Sequence, residues 1–372
     1  MATNGNHSRV EKYAVVTGAN KGIGLETVRQ IASKGVTVVL TARDEKRGTD
    51  ATCMLHNTGL TNVVFHQLDV LDPVSIESLA KFIKDRFGKL DILVNNAGAS
   101  GVVVDEERLK ALNIDPETWL SGKAVNMVQQ VIETSYETAV ECLNTNIYGV
   151  QRVTEALLPL LQLSPSGARI VNVSSLRGEL CRIRGDDLRN ELEDLETLNE
   201  EKLDSILKRF LKDLKDNTLE SGGWSLMLPA YSISKATLNA YTRVLAKRHP
   251  GMLINCVHPG YVNTDINWHT GTNAGRGGSS RHFSTVNKLR SGLSLSGTDS
   301  RSKKGEHFKI SHESMLPAAT HRPKHGSEAS NWGFYFDRCI SDFVFRVHFL
   351  NLTMAGHAST TFVDRISVNK AA

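Results

Sequence analysis

No stretch of this 372-residue chain approaches the roughly 18 uninterrupted apolar residues that a membrane-spanning helix needs, and the opening MATNGNHSRVEK has no apolar core of a secretory signal. Both absences point to a cytoplasmic address and away from a membrane partner. Cysteine is scarce. Cys53, Cys142, Cys181, Cys256 and Cys339 are odd in number and lack metal-ligand spacing, so they read as free thiols and no metal site is expected. The sequons at Asn6, Asn172 and Asn351 mean little without secretion. Charge of one sign is also missing: the formal net charge is only +4, with Lys and Arg scattered among acids, which argues against a nucleic-acid partner. With 40% hydrophobic and 23% charged residues, the chain has what a large soluble core requires.

The stretch around which the rest is organised is Tyr13 to Gly24. A short apolar run, Tyr13 to Val16, stops at Thr17-Gly18-Ala19-Asn20-Lys21-Gly22-Ile23-Gly24, and Leu25, Val28, Ile31 and Ala32 then follow at helical spacing. Strand, glycine-rich loop and helix form a phosphate-binding unit. Gly18, Gly22 and Gly24 let the backbone approach a pyrophosphate, and the open N–H groups of the helix meet its charge. Three spaced glycines are equally compatible with a plain turn, so the decision falls to what comes after them.

Strand and helix keep alternating. Thr37 to Ala42 reads as a second strand, followed by Arg43 and a helical stretch toward Asn57. Val63 to Leu68 ends at Asp69-Val70, and Pro73 opens a helix carrying Val74, Ile76, Leu79, Phe82, Ile83 and Phe87. Leu90 to Val94 runs into the small-residue turn Asn95-Asn96-Ala97-Gly98. Residues 99 to 133 have weak periodicity and read as an irregular excursion with short helices. Tyr136 to Leu161 predicts one long helix, and Ala168 to Val173 a fifth strand that leaves through Ser174-Ser175. From about 177 to 228 lies a charged insertion whose Leu188, Leu192, Leu195, Leu203, Ile206, Leu207, Phe210, Leu211 and Leu214 predict one or two amphipathic helices on the core. Pro229 opens a helix to about Arg248, and Leu253 to Val257 is a sixth strand ending at His258-Pro259-Gly260. Buried strands joined by helices imply an α/β, Rossmann-type, doubly wound parallel sheet with its ligand at the carboxyl ends of the strands. The domain so defined covers residues 10–272. Residues 273–372 form a divergent region rich in Ser, Gly, Lys, Arg and His, expected to be of low order.

Tyr231-Ser232-Ile233-Ser234-Lys235 puts a phenol and an ammonium on one helix face. A tyrosine titrates near pKa ~10, and a neighbouring cation that stabilises its phenolate makes it a better acid. Tyr231 would then exchange a proton with a carbonyl or alcohol oxygen, while Ser175 holds that oxygen by a hydrogen bond. Alone the pattern is weak. Its weight comes from order: glycine loop after strand one, Asp69 after strand three, Asn95 to Gly98 after strand four, Ser-Ser after strand five and Tyr-x-x-x-Lys before strand six.

In that order the motifs resemble those of the short-chain dehydrogenase/reductases, over roughly residues 10 to 270. The resemblance implies a cofactor loop of Thr17, Gly18, Asn20, Lys21, Gly22, Ile23 and Gly24, with Asp69 and Val70 beside the adenine. It implies a turn, including Asn95, Ala97 and Gly98, that steadies the sheet next to the cofactor, and a Pro259, Gly260, Val262 and Thr264 segment against the nicotinamide and phosphates. It makes Ser175, Tyr231 and Lys235 the catalytic serine, tyrosine and lysine, the last two also touching cofactor, and Asn146 part of a water-mediated proton relay to the lysine. Ser175 is chosen over Ser174 because the family's serine stands second in Asn-Val-Ser-Ser. Bland roles stay open for three residues: Asn95 as a strand-end cap, Asp69 as a turn cap and Thr264 as the start of the next segment.

NAD-preferring enzymes usually carry an acid at the end of strand two, whereas here the chain reads Thr41-Ala42-Arg43. Arg43, with Lys21 from the loop, offers two cations for a 2′-phosphate, so NADP(H) is the expected cofactor. The other reading leaves both cations merely exposed and gives the acid's role to Asp44. The insertion before Tyr231 and strings such as TGANKGIGLE, LTARDEKRG and ALLPLLQ resemble the monomeric plant group of salutaridine reductase and neomenthol (menthone) dehydrogenase, close to carbonyl reductases. That implies a monomer reducing a small hydrophobic ketone, such as a terpenoid or alkaloid ketone, or oxidising the alcohol in reverse. Two alternatives stand beside it: reduction of an activated C=C bond, against which the intact Tyr231 argues, and cofactor binding without turnover. The second is suggested by the divergence after about Gly275, where only Gly333 to Arg338 is faintly like the family's ending.

Overall fold

A computed structural model describes residues 11–271 and 284–286 of the chain. Six strands lie parallel: β1 (Tyr13–Val16), β2 (Thr37–Ala42), β3 (Val63–Gln67), β4 (Ile92–Asn95), then, past a two-stranded ribbon of β5 (Val103–Val104) and β6 (Ile132–Glu133), β7 (Arg169–Val173) and β8 (Leu253–His258). The order across the sheet is β3-β2-β1-β4-β7-β8, with β9 (Ser284–Val286) antiparallel at the edge. The chain therefore starts in the middle, builds outward one way, returns and builds the other way. Between β1 and β4 the carboxyl ends diverge into a crevice, as the doubly wound reading requires.

Successive strand residues feed two different cores, because side chains alternate across a pleated sheet. Ala14 and Val16 of β1, with Val38 and Leu40 of β2, pack against α1 (Gly22–Ala32) and α2 (Glu45–Asn57) through Val28, Ala32, Ala51 and Leu55. Val15 and Val39 point the other way, to α3 (Pro73–Phe87) through Ile76, Leu79 and Ile83. Asp72 caps α3 by accepting from the Val74 N–H, Pro73 opens it, and Gly88, at φ +72°, closes it in the left-handed region.

Where a single helix was expected over Tyr136 to Leu161, the structure has α7 (Tyr136–Leu143), a π-helical turn over Asn144–Tyr148 and α8 (Gly149–Leu161). The apolar stripe continues through the turn, so periodicity alone does not reveal it. A wider turn of this kind is common at functional sites, and Asn146 sits inside it. The excursion holds three short helices, α4 (Glu106–Ala111), α5 (Pro116–Ser121) and α6 (Val125–Val128), between the strands of the ribbon. The charged insertion forms two helices, α9 (Asp186–Glu193) and α10 (Glu200–Lys215). They bury Leu188, Leu192, Leu203, Ile206, Leu207 and Phe210 in the main core and leave their charges outside.

The last helix, α11 (Pro229–Arg248), is buried along most of its 20 residues. It lies between the sheet and the insertion, which explains why it carries little amphipathic signal. Apart from β9, the region 273–372 lies outside the described residues, and so does the string around Gly333 to Arg338. Among the described residues no helix is long and apolar enough to cross a membrane, and no cluster of His, Cys, Asp and Glu could hold a metal.

Candidate active site

The glycine loop and the turn after β4 are buttoned together. Buried Thr17 accepts at Oγ1 from the Asn96 and Ala97 N–H groups at 2.9 and 3.0 Å, and the Asn96 amide donates to the Thr17 and Gly18 carbonyls at 2.9 Å each. Gly18, at φ +60°, packs so closely that a Cβ there would stand 2.9 Å from Ala97 Cα, and one on Gly24 would meet the Ala19 and Gly18 backbone at 2.8 Å. Only glycine fits either position. Lys21 stands at the N-cap of α1 without a side-chain cap, so the first N–H groups of the helix remain open toward the cleft.

That cleft, of about 420 Å³, runs along the carboxyl ends of the strands. Gly18, Asn20, Lys21, Gly22, Ile23, Gly24, Arg43, Asp69, Val70, Ala97 and Gly98 line it, joined by Ser175, Tyr231, Lys235, Pro259, Gly260, Val262 and Thr264. Three of the residues singled out from sequence lie behind the wall instead. Thr17 ties the two loops as described. Asn95 donates to Thr154 Oγ1 at 3.1 Å and Asn172 Oδ1 at 2.8 Å, a buried amide bridge from β4 to β7 and α8. Asn146 accepts from the Ala99 N–H at 2.8 Å and donates to Ser234 Oγ at 2.9 Å, holding the chain beyond Gly98 against α11. Its Oδ1 and the Lys235 Nζ flank Gly98, 3.3 and 3.8 Å from where a Cβ would sit. Asp69 both faces the cleft and accepts from the Leu71 N–H at 2.9 Å.

At the centre, Lys235 is buried and donates from Nζ to the Val173 carbonyl at 2.8 Å, with its ammonium 5.6 Å from the centroid of the Tyr231 ring. Loss of water pushes Lys235 down to about 8 and the Tyr231 phenol up to about 12. A hydrogen bond with Ser175 and the charge of Arg177 pull the phenol back. Ser174 is committed elsewhere, donating to Asn239 Oδ1 at 2.6 Å. Ser175 accepts from the Arg177 N–H at 3.2 Å, which fixes it at the start of the 3-10 turn Leu176–Gly178.

Sequence reading missed the far wall: Trp119, Leu120, Arg177, Leu228, Tyr261, Ile266 and Trp268. Leu228 and Trp268 have φ of +52° and +53°, a conformation large apolar residues rarely adopt. Trp119 meets Trp268 edge to face at 6.3 Å between centroids. No short motif announces these contacts, since the residues come from four separate places: α5, the turn after β7, the loop before α11 and the segment after β8. The Lys21 ammonium and the Asp265 carboxylate pair across the mouth, joining the glycine loop to that last segment.

A crevice at the strand reversal, glycine loop at one side and Ser-Tyr-Lys at the other, defines a nucleotide-dependent oxidoreductase fold. Residues 12–185 match the family model for short chain dehydrogenases. The chain is 55% identical to short-chain dehydrogenase/reductase 1 of Saponaria officinalis, over 69% of this chain and 83% of that protein. It is 48% identical to (+)-neomenthol dehydrogenase of Arabidopsis thaliana, over 70% of this chain and 86% of that one. The solved structure of salutaridine reductase from Papaver somniferum superposes with a TM-score of 0.67 at 47% identity, covering 71% of this chain and 92% of that one. The chain belongs to the short-chain dehydrogenase/reductase family, whose members bind a nicotinamide cofactor.

Proposed function

We propose that the chain is an NADPH-dependent carbonyl reductase acting on a small hydrophobic ketone of the terpenoid or alkaloid kind, and oxidising the corresponding alcohol in reverse. The observation that carries this is the convergence of Ser175, Tyr231 and Lys235 on one cleft with an open helix N-terminus at its other end. The donor set suits a dinucleotide: uncapped N–H groups and the glycines for the pyrophosphate, and Arg43 at the end of β2 for a 2′-phosphate. Asp44, the acid that would favour an unphosphorylated ribose, accepts instead from the Arg47 N–H at 2.8 Å as the cap of α2.

Bound NADPH supplies the hydride. A phenol raised to about 12 keeps its proton at neutral pH, so Tyr231 can donate it to the carbonyl oxygen as negative charge develops there. Ser175 donates a hydrogen bond to the same oxygen, and the charge of Lys235 stabilises the phenolate left behind. The insertion helices α9 and α10 cover α11 and α7, which favours a monomer, and the reading places the enzyme in the cytoplasm. The test is NADPH oxidation by the full-length chain with menthone, cyclohexanone and an aromatic ketone. Turnover supports the reading, whereas NADPH binding with no turnover of any carbonyl substrate rejects it.

A further inference from the structure

Arg177 is the one buried guanidinium of the cleft wall, only 6% exposed and two residues after Ser175. Its turn is pressed onto α11: a Cβ on Gly178 would lie 2.6 Å from the carbonyl group of Lys235, so the base of the arginine cannot drift. Nη2 donates to the Trp119 carbonyl at 2.5 Å. A guanidinium has five N–H donors, and one carbonyl does not need them all. Among the described residues no carboxylate forms an ion pair with it. The groups that act on its charge are Arg182, another cation, and the phenols Tyr231 and Tyr261. The cleft it lines is also walled by Trp119, Leu120, Leu228 and Trp268, which offer mainly hydrocarbon. A ligand that displaces water from the cleft makes this cation costly to bury unless the ligand itself completes the guanidinium's hydrogen bonds.

We propose that Arg177 is a specificity-determining residue that receives a second oxygen of the substrate, so the favoured substrates are ketones carrying another oxygen acceptor close to the reacting carbonyl. The inference rests on the reductase reading and sharpens its substrate class. A site built to hydrogen-bond a substrate oxygen discriminates strongly against an analogue that lacks it, because the donor is then left buried and unsatisfied. A purely structural clamp on Trp119 would affect all ketones alike.

The probes are 2-methoxycyclohexanone and 2-ethylcyclohexanone, matched in shape and differing by one ether oxygen. With the full-length chain the kcat/KM ratio, methoxy over ethyl, is expected to be tenfold or more. Arg177→Met should bring the ratio close to one, and Arg177→Lys, which keeps the charge but not the fork, should lower it at least threefold. A ratio near one in the unaltered enzyme, or an unchanged ratio in whichever variant retains NADPH binding, overturns the proposal. Calorimetry on the NADPH complex of Tyr231→Phe separates this inference from the reductase reading. Preferential binding of the methoxy ketone, lost with Arg177→Met added, supports the role of Arg177 even if no ketone is turned over. Equal binding of the two ketones refutes it even if both are reduced.

Discussion

The two ends of the cleft are built by different means. At the nucleotide end the wall is built chiefly by one continuous unit, β1, loop and α1, whose shape is set by glycines and by hydrogen bonds through the Thr17 hydroxyl and the Asn96 amide to the turn after β4. At the substrate end the wall is assembled from four distant segments and includes a small core of Leu109, Trp119, Ala124, Val128, Val131, Met227 and Trp268, which shares no residue with the two clusters flanking the sheet. A site made of local backbone can be written into a motif, whereas one made of side chains from separate segments is specified only when they meet. The same contrast separates the tasks. In the proposed reading the cofactor is held by the local unit, and the substrate is selected by the patchwork, which can vary without disturbing the sheet.

Tyr231→Phe falls where the two ends meet and should have the largest effect. It removes the proton donor and lowers kcat by ~10²–10⁴-fold, while calorimetry should show NADPH affinity nearly unchanged. Retained turnover would break the proposed chemistry. Gly24→Ala strikes the nucleotide end alone. Its methyl meets backbone at 2.8 Å, an overpacking cost of about 1–3 kcal/mol, and NADPH binding should weaken by roughly tenfold or more with ketone KM little altered. Trp268→Ala is the converse experiment. It deletes half of the edge-to-face pair and packing worth about 3–5 kcal/mol in a core, so ketone KM should rise while the Kd for NADPH stays put. If both constants move together in either variant, the two ends are not independent constructions.

Smaller shifts sharpen the picture. Arg43→Ala should lower the NADPH-over-NADH preference in kcat/KM by about tenfold, the loss expected for one charge-assisted hydrogen bond, and unaltered preference would move the 2′-phosphate contact elsewhere. The mildest effect is that of pH. Lys235, held down to about 8 by burial, is charged below that value and neutral above it. Reduction should therefore slow as pH rises through about 8, read from kcat/KM for NADPH, which reports the free enzyme. A flat profile to pH 10 would show that the lysine charge does not support Tyr231.

The parallel sheet was legible because its strands are buried on both sides and read as short continuous apolar runs, with helices of clear periodicity between them. Legible too were the residues at the strand ends, since β1, β4, β7 and β8 must all finish on one edge of a parallel sheet, and that edge is the cleft. The π-helical turn was not, because α7 and α8 keep one apolar stripe through it. Nor was the engagement of Asn146 with Ala99 and Ser234, which depends on where a distant loop comes to rest.

By itself the sequence determined the order of elements, the glycine positions and the pairing of Tyr231 with Lys235, all of which follow from spacing along one chain. Tertiary structure alone decided that Arg177 is buried against Trp119, that Ser174 is tied to Asn239, and that Leu228 and Trp268 turn into left-handed backbone on the cleft wall. The physical reason is the same in each case. Hydrophobic period and backbone freedom are local properties, whereas desolvation and hydrogen-bond partnership depend on what other segments bring to the same place.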